Sequence, residues 1–229
     1  MVRLNPSEHA RVAQAIAAAE TRTSGEIFCV LAGQVSSYRD ISLAWATAAA
    51  FLLPLILIPL GFDSTWFPGL DDSWTASHLA ALDRNIGQVL SVYAIVQAVV
   101  FVAAYLVLRI PAVTLFMTPR NIRRDRTRQA AMRQFLGHGI HVTEHRTGVL
   151  IFAALADRQI EVIADKGIHS RVDETVWAEA VEVLTEALAD GRPADGFEAA
   201  IGLFGDVLAE HFPPRDGNPD EIPNRLVEI

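Results

Sequence analysis

The chain has 229 residues, of which 51% are hydrophobic and 20% charged, with a net charge of −8 at pH 7. That is more apolar than a soluble average, and the length allows one or two domains. The lone cysteine, Cys29, excludes an internal disulfide, and its apolar setting excludes an activated thiolate.

The first residues are polar and helix-like, with no apolar segment or cleavage site of a signal peptide, so the N-terminus is expected to stay on the side of synthesis. Asn5-Pro6-Ser7-Glu8 predicts a helix start: Asn5 caps, Pro6 suits the first helical position and Glu8 completes a capping box. Val12, Ala15, Ile16 and Ala19 give that helix one apolar face up to about Thr21. Glu26 to Ala32 is a strand apolar on both faces, the pattern of a central strand in a covered sheet.

Two long apolar stretches follow, Ile41 to Phe62 and Asn85 to Leu108, without an Asp, Glu, Lys or Arg inside either. About 20 apolar helical residues cross a hydrocarbon core of roughly 30 Å, so both are expected to span a membrane as a hairpin. Pro54 and Pro59 predict a kink in the first. The absence of intramembrane charge argues for an anchor and against transport. Trp45, Trp66, Trp74 and Tyr105 lie towards the span ends, as interfacial anchors do. The external loop, 63–84, has a turn at Phe67-Pro68-Gly69 and a short amphipathic helix from about Ser73 to Leu82.

Charge is segregated along the chain. Residues 61–88 carry four Asp and one Arg; residues 109–133 carry seven Arg and one Asp; residues 134–229 carry seven bases and eighteen acids. Lys and Arg beside a span favour the cytoplasmic side. The expectation is a two-pass inner-membrane protein with both termini cytoplasmic. Arg120, Arg123, Arg124, Arg126 and Arg128 sit directly beside the second span, so the bilayer's anionic lipid, not nucleic acid, is their expected partner. Basic residues are almost all arginine, Lys166 being the single lysine, which with abundant alanine suggests a bacterial source.

The basic run continues as a helix through Ala130, Met132, Phe135 and Leu136. Gly148 to Leu155 and Ile160 to Ala164 then form a hairpin about the turn Ala156-Asp157-Arg158-Gln159. Asp173 is a helix cap, and Trp177, Ala180, Val181, Leu184 and Leu188 mark the apolar stripe of the helix that Gly191 ends. A last helix runs from about Ala194 to Glu210. The tail, 214–229, lacks periodicity and is expected to be flexible.

Without residues 41–110 the order is helix, strand, helix, strand, strand, helix, helix. That is a small αβα sandwich, an α/β fold of residues 1–40 and 111–213 interrupted by the membrane hairpin. The two apolar strands are expected to pair in parallel across it.

Three carboxylates, Asp157, Glu161 and Asp165, share parity on the hairpin, and oxygen ligands of this kind suit Ca²⁺ or Mg²⁺. The competing reading is a solvated strand edge, with Asp157 steadying the turn. His138, His141 and His145 could ligate zinc, but Gly137 and Gly139 interrupt the helix that would align them. There is no Gly-x-Ser-x-Gly elbow, Walker loop, His-Glu-x-x-His or cysteine pair.

Thr147-Gly148-Val149-Leu150-Ile151, the Asp157-Arg158 turn, Asp165 with Gly167 after the third strand, Trp177, and Asp195-Gly196 before the last helix resemble the TPM domain family. The resemblance covers residues 1–40 and about 120–213. It implies an αβα fold and an acidic groove that binds divalent metal, with weak acid phosphatase activity in some members. Members include thylakoid photosystem II repair proteins, a receptor accessory protein and bacterial membrane proteins. Within it, Gly148, Arg158, Gly167, Trp177 and Gly196 are structural motif positions. The stretch Glu144-His145-Arg146-Thr147-Gly148 and the single Gly167 after the third strand depart from the better studied members, and the chain is most similar to the membrane-anchored bacterial subgroup. Two functions follow as expectations: a non-catalytic interaction or assembly factor at the membrane with an unknown protein partner, or a divalent-metal-dependent phosphatase acting at Asp157.

Overall fold

The structure is a computed structural model, and it describes residues 4–57, 79–172, 174–215, 217 and 220–229. In chain order the elements are α1 (Pro6–Glu20), β1 (Glu26–Ala32), α2 (Arg39–Leu57), α3 (Leu79–Leu108), α4 (Pro111–Met117), α5 (Arg120–Gly137), β2 (Gly148–Ala154), β3 (Gln159–Ala164), α6 (Lys166–His169), α7 (Ala178–Ala189), α8 (Pro193–His211) and β4 (Leu226–Glu228). They fall into two units, one of residues up to Ser37 and from Pro119 onward, the other Tyr38–Thr118.

In the first unit, α1 opens on the expected capping box. Asn5 Oδ1 accepts the Glu8 N–H at 2.9 Å, and Glu8 Oε2 accepts the Asn5 N–H at 2.7 Å. The sheet order is β3-β2-β1-β4. β1 and β2 are buried along their whole length and pair in parallel from Glu26↔Gly148 to Ala32↔Ala154. Their apolarity on both faces requires this central position, because each face needs a covering layer. β3 returns antiparallel on β2.

Alternation along the strands sorts two cores. Ile27, Cys29, Leu31, Val149 and Ile151 face α1 and α8, meeting Val12, Ile16, Phe197, Ile201 and Phe204. Phe28, Val30, Leu150 and Phe152 face α5, meeting Ala130, Ala131 and Phe135. Each fully buried large side chain contributes roughly 1.5–3 kcal/mol. Trp177 stacks on Phe204 at 4.8 Å between ring centroids, closing the first core. Before α7 the chain makes a 3-10 turn, Glu174–Trp177, so α7 starts later than the expected Glu174; the expected cap, Asp173, lies outside the described residues.

The tail differs from expectation. Leu226–Glu228 pairs in parallel with β1, Cys29↔Leu226 to Leu31↔Glu228, so this part of 214–229 is a fourth strand and not a flexible end. Ile222 and Leu226 are buried, and that burial holds it in place.

In the second unit α2 packs on α3. The Ser42 hydroxyl donates to the Leu108 carbonyl at 3.1 Å, and Trp45 Nε1 donates to the Met117 carbonyl at 3.1 Å. Among the described residues one helix segment, Arg39–Ile56, is long and apolar enough to cross a membrane. Tyr93–Leu108 qualifies only together with Pro111–Met117, across a bend of 99°. Of the expected hairpin of two spans, one helix passes this test among the described residues, and a second does so only if the bent pair counts as one. Pro111 is the physical reason for the break: it opens α4 at the first helical position and withholds an N–H from the preceding turn. Leu52, Leu55, Ile56, Leu90, Ile95, Val99 and Leu106 are all more than half exposed. The expected turn at Phe67–Gly69, Trp66, Trp74 and most of the external loop lie outside the described residues.

Candidate functional site

β2 and β3 carry the residues singled out by the sequence, and the hairpin spreads them. Asp157 sits in the turn and is fully buried at the carboxyl ends of β1 and β2. Its Oδ2 accepts the Val35 N–H at 3.4 Å, and its carbonyl accepts from Arg123 Nη1 at 3.4 Å. Arg158, beside it, takes φ 50°, a left-handed position that tightens the turn. Glu161 lies midway along β3 facing α5, with Arg124 Nε at 3.7 Å. Asp165 follows the strand and caps α6: Oδ1 accepts the Lys166 N–H at 2.6 Å, while the buried Oδ2 has no partner among the described residues. Arg146 Nη1 stands 4.0 Å from Asp165.

Parity does put Glu161 and Asp165 on one face. At about 3.4 Å per residue, however, four residues separate their Cα atoms by about 14 Å. A Ca²⁺ or Mg²⁺ ion needs its oxygens at about 2.0–2.6 Å. The three carboxylates do not converge on a common ion, so this set does not fit the metal that the family resemblance implies, and no chemical step follows from it.

The histidines are also dispersed. His138 packs on Phe28 with ring centroids 4.6 Å apart and bonds Gln134, His141 lies 6.3 Å from the Phe135 ring, and His145 is near Glu144 at 3.9 Å. Cys29 is buried in the core, and burial first, then Glu20, pushes its thiol pKa up. It packs and does not react.

The motif glycines are explained by close packing. A Cβ on Gly167 would stand 2.5 Å from the Arg146 carbonyl oxygen, and on Gly148 it would meet the Ile140 side chain at 2.6 Å. On Gly196 it would reach the Ala187 Cβ at 2.6 Å, where α8 crosses α7.

The basic run divides between tasks. Arg123 reaches the Asp157 carbonyl, Arg124 pairs with Glu161, and Arg126 Nη1 donates to the Ser36 hydroxyl at 2.6 Å. Arg120 and Arg128 are exposed. Part of the run therefore holds α5 on the sheet.

Sequence reasoning missed one convergence. Glu20 at the end of α1, Glu26 at the start of β1 and Asp220 in the tail bring carboxylate oxygens within 4.8 Å of one another. Glu20 Oε1 accepts the Ile27 N–H at 2.8 Å, and Glu26 Oε2 accepts the Ile222 N–H at 3.3 Å. Burial, reinforced by the neighbouring carboxylates, raises Glu20 to about 8 and Glu26 to about 7. A glutamate opening an otherwise apolar strand was the one signal for it in the sequence.

The first unit is thus a mixed α/β domain built on one four-stranded sheet. Residues 112–207 match the family model of the TPM domain. The NMR structure of BA42 protein from the psychrophilic bacterium Bizionia argentinensis is similar in fold, with a TM-score of 0.53 and 19% identity over 99% of this chain and 95% of that chain. No curated protein matches.

Proposed function

We propose that this chain is a membrane-anchored TPM-domain protein that acts as a non-catalytic interaction or assembly factor at the bacterial inner membrane. The observation that carries the reading is the dispersal of Asp157, Glu161 and Asp165 into three separate structural contacts: a turn, an ion pair and a helix cap. Carboxylates engaged in this way serve three separate parts of the fold, which favours a structural use over a shared catalytic one. The anchor is supported by the apolar α2 and by the large aliphatic side chains that α2 and α3 leave exposed. A soluble core helix would bury such residues, whereas only 22% of the Arg39–Ile56 window is buried. α2 and the bent α3–α4 pair would form the two passes, with both termini cytoplasmic and Arg120 free for the anionic leaflet.

The second reading, a divalent-metal-dependent phosphatase, draws on the position of Asp157. It is buried at the carboxyl ends of two parallel strands, where α/β sheets place ligands. One experiment separates the two. The full chain, purified in detergent, is titrated with Ca²⁺, Mg²⁺ and Mn²⁺ while thermal stability and phosphomonoester hydrolysis are followed. The interaction reading expects neither a metal-dependent shift nor turnover. Turnover abolished by Asp157→Ala would replace it with the enzyme.

A further inference from the structure

The two edges of the sheet are treated differently. Beyond β1 the chain's own tail adds β4. Beyond β3 no strand pairs among the described residues. The register fixes which backbone groups this leaves. Asp165 N–H donates to the Gly148 carbonyl at 2.9 Å, so by alternation Ile163, Glu161 and Gln159 also bond to β2. The N–H and C=O groups of Ile160, Val162 and Ala164 therefore point outward, and no hydrogen bond reaches them among the described residues. Native edges are usually blunted by proline, lysine, a bulge or a covering element. Gln159-Ile160-Glu161-Val162-Ile163-Ala164 has no proline, lysine or bulge, and its register with β2 is regular.

A groove of about 530 Å³ runs along this edge. One wall is α5, presenting Arg124, Arg128 and Met132; the other is Val172, Trp177 and Val181. The walls belong to opposite layers of the sandwich, so a strand laid against β3 would send alternate side chains to each. The first wall is mainly cationic, with Glu161 beside Arg124, and the second mainly apolar, with His169 also in the lining. Arg124 is 71% exposed, which leaves its pairing with Glu161 weak. Arg128 is exposed and forms no ion pair among the described residues.

We propose that the free edge of β3 and its flanking groove dock an extended segment of a partner protein as a fifth strand, the segment alternating acidic with apolar side chains. The backbone ladder supplies affinity, Arg124 and Arg128 select acidic residues at alternate positions, and the wall containing Trp177 takes the apolar ones. A second copy of this chain is a poorer occupant. Two-fold pairing of β3 with β3 would set one arginine-rich α5 beside another, and like charges oppose that. The inference rests on the interaction reading above and names its site and its class of partner.

The test uses the full chain in detergent micelles and a blocked, dye-labelled peptide of alternating valine and glutamate, compared with its valine–lysine counterpart. Fluorescence anisotropy reads binding, and hydrogen exchange locates it. The Val-Glu peptide is expected to saturate and to protect the Ile160, Val162 and Ala164 amides. Arg124→Glu with Arg128→Glu should weaken it about tenfold or more and reverse the preference towards Val-Lys. Val162→Pro removes an outward N–H without touching the β2 ladder and should weaken either peptide. The proposal is overturned if neither peptide saturates by about 1 mM, if both bind equally, or if protection lies elsewhere. It is also overturned if the same amides are protected by concentration-dependent dimerisation without peptide. Failure here with no phosphatase turnover sinks the groove alone; turnover lost in Asp157→Ala sinks the interaction reading whatever the peptides do.

Discussion

Raising the pH should release the C-terminal tail from the sheet. The last described segment, 220–229, lies over Glu26, which is 2% exposed and accepts the Ile222 N–H, with Asp220 completing a carboxylate group within 4.8 Å of Glu20. Glu221 also adds negative potential at Glu26. Burial raises Glu20 to about 8 and Glu26 to about 7, both from 4.5. A carboxyl whose pKa is raised in the docked state favours docking when protonated. Its contribution is therefore complete below about 4.5 and is lost as pH climbs through 7 to 8. Each pKa unit corresponds to about 1.4 kcal/mol, so the two coupled acids together change docking by a few kcal/mol. That is comparable to what burial of Ile222 and Leu226 supplies, at roughly 1.5–3 kcal/mol each. Hydrogen exchange at the Leu226–Glu228 amides, corrected for the intrinsic rate, should show protection at pH 5.5 and much less at pH 8.5. Glu20→Gln keeps an acceptor for the Ile27 N–H and removes one of the two charges, so it should retain more protection at pH 8.5 than the unaltered chain, with the remaining loss following Glu26. Equal protection at both pH values, or no effect of Glu20→Gln, would refute the reasoning.

The remaining predictions concern packing. Gly196→Val pushes against Ala187 and Leu184 where α8 crosses α7, and should destabilise the domain by about 1–3 kcal/mol in chemical denaturation. Phe204→Ala removes a fully buried ring stacked on Trp177; a loss of about 3–5 kcal/mol is expected, with a change in native tryptophan emission as the local readout. Cys29, fully buried between the sheet and its helices, should resist a thiol reagent in the native state and react on unfolding with the global kinetics.

What could be read in advance follows from range. The α1 capping box uses residues three apart, and its geometry appears as the sequence requires. The apolarity of β1 and β2 on both faces demanded neighbours on each side, and parallel pairing across the intervening helices met that demand. Parity along β3 was also right, with Ile160, Val162 and Ala164 facing one core and Ile163 the other. Parity does not give separation: it places Glu161 and Asp165 on one face, with about 14 Å of strand between their Cα atoms. β4 was missed because three residues carry no period and its partner lies almost two hundred positions earlier. The Glu20–Glu26–Asp220 convergence was missed for the same reason, since the tail closes it. The division of the α5 arginines was equally hidden: a basic run beside an apolar helix looks like a lipid contact until Arg126 is seen on Ser36 and Arg123 on the Asp157 carbonyl.

The proposed function has one cytoplasmic domain held at the bilayer by spans inserted between its two central strands. Compartment reporters fused within the 58–78 segment and after residue 229, in otherwise complete chains, test it most directly. An external signal is expected from the 58–78 fusion and a cytoplasmic one from the C-terminal fusion. Cytoplasmic signal from both, with the chain recovered in the soluble fraction, would contradict it.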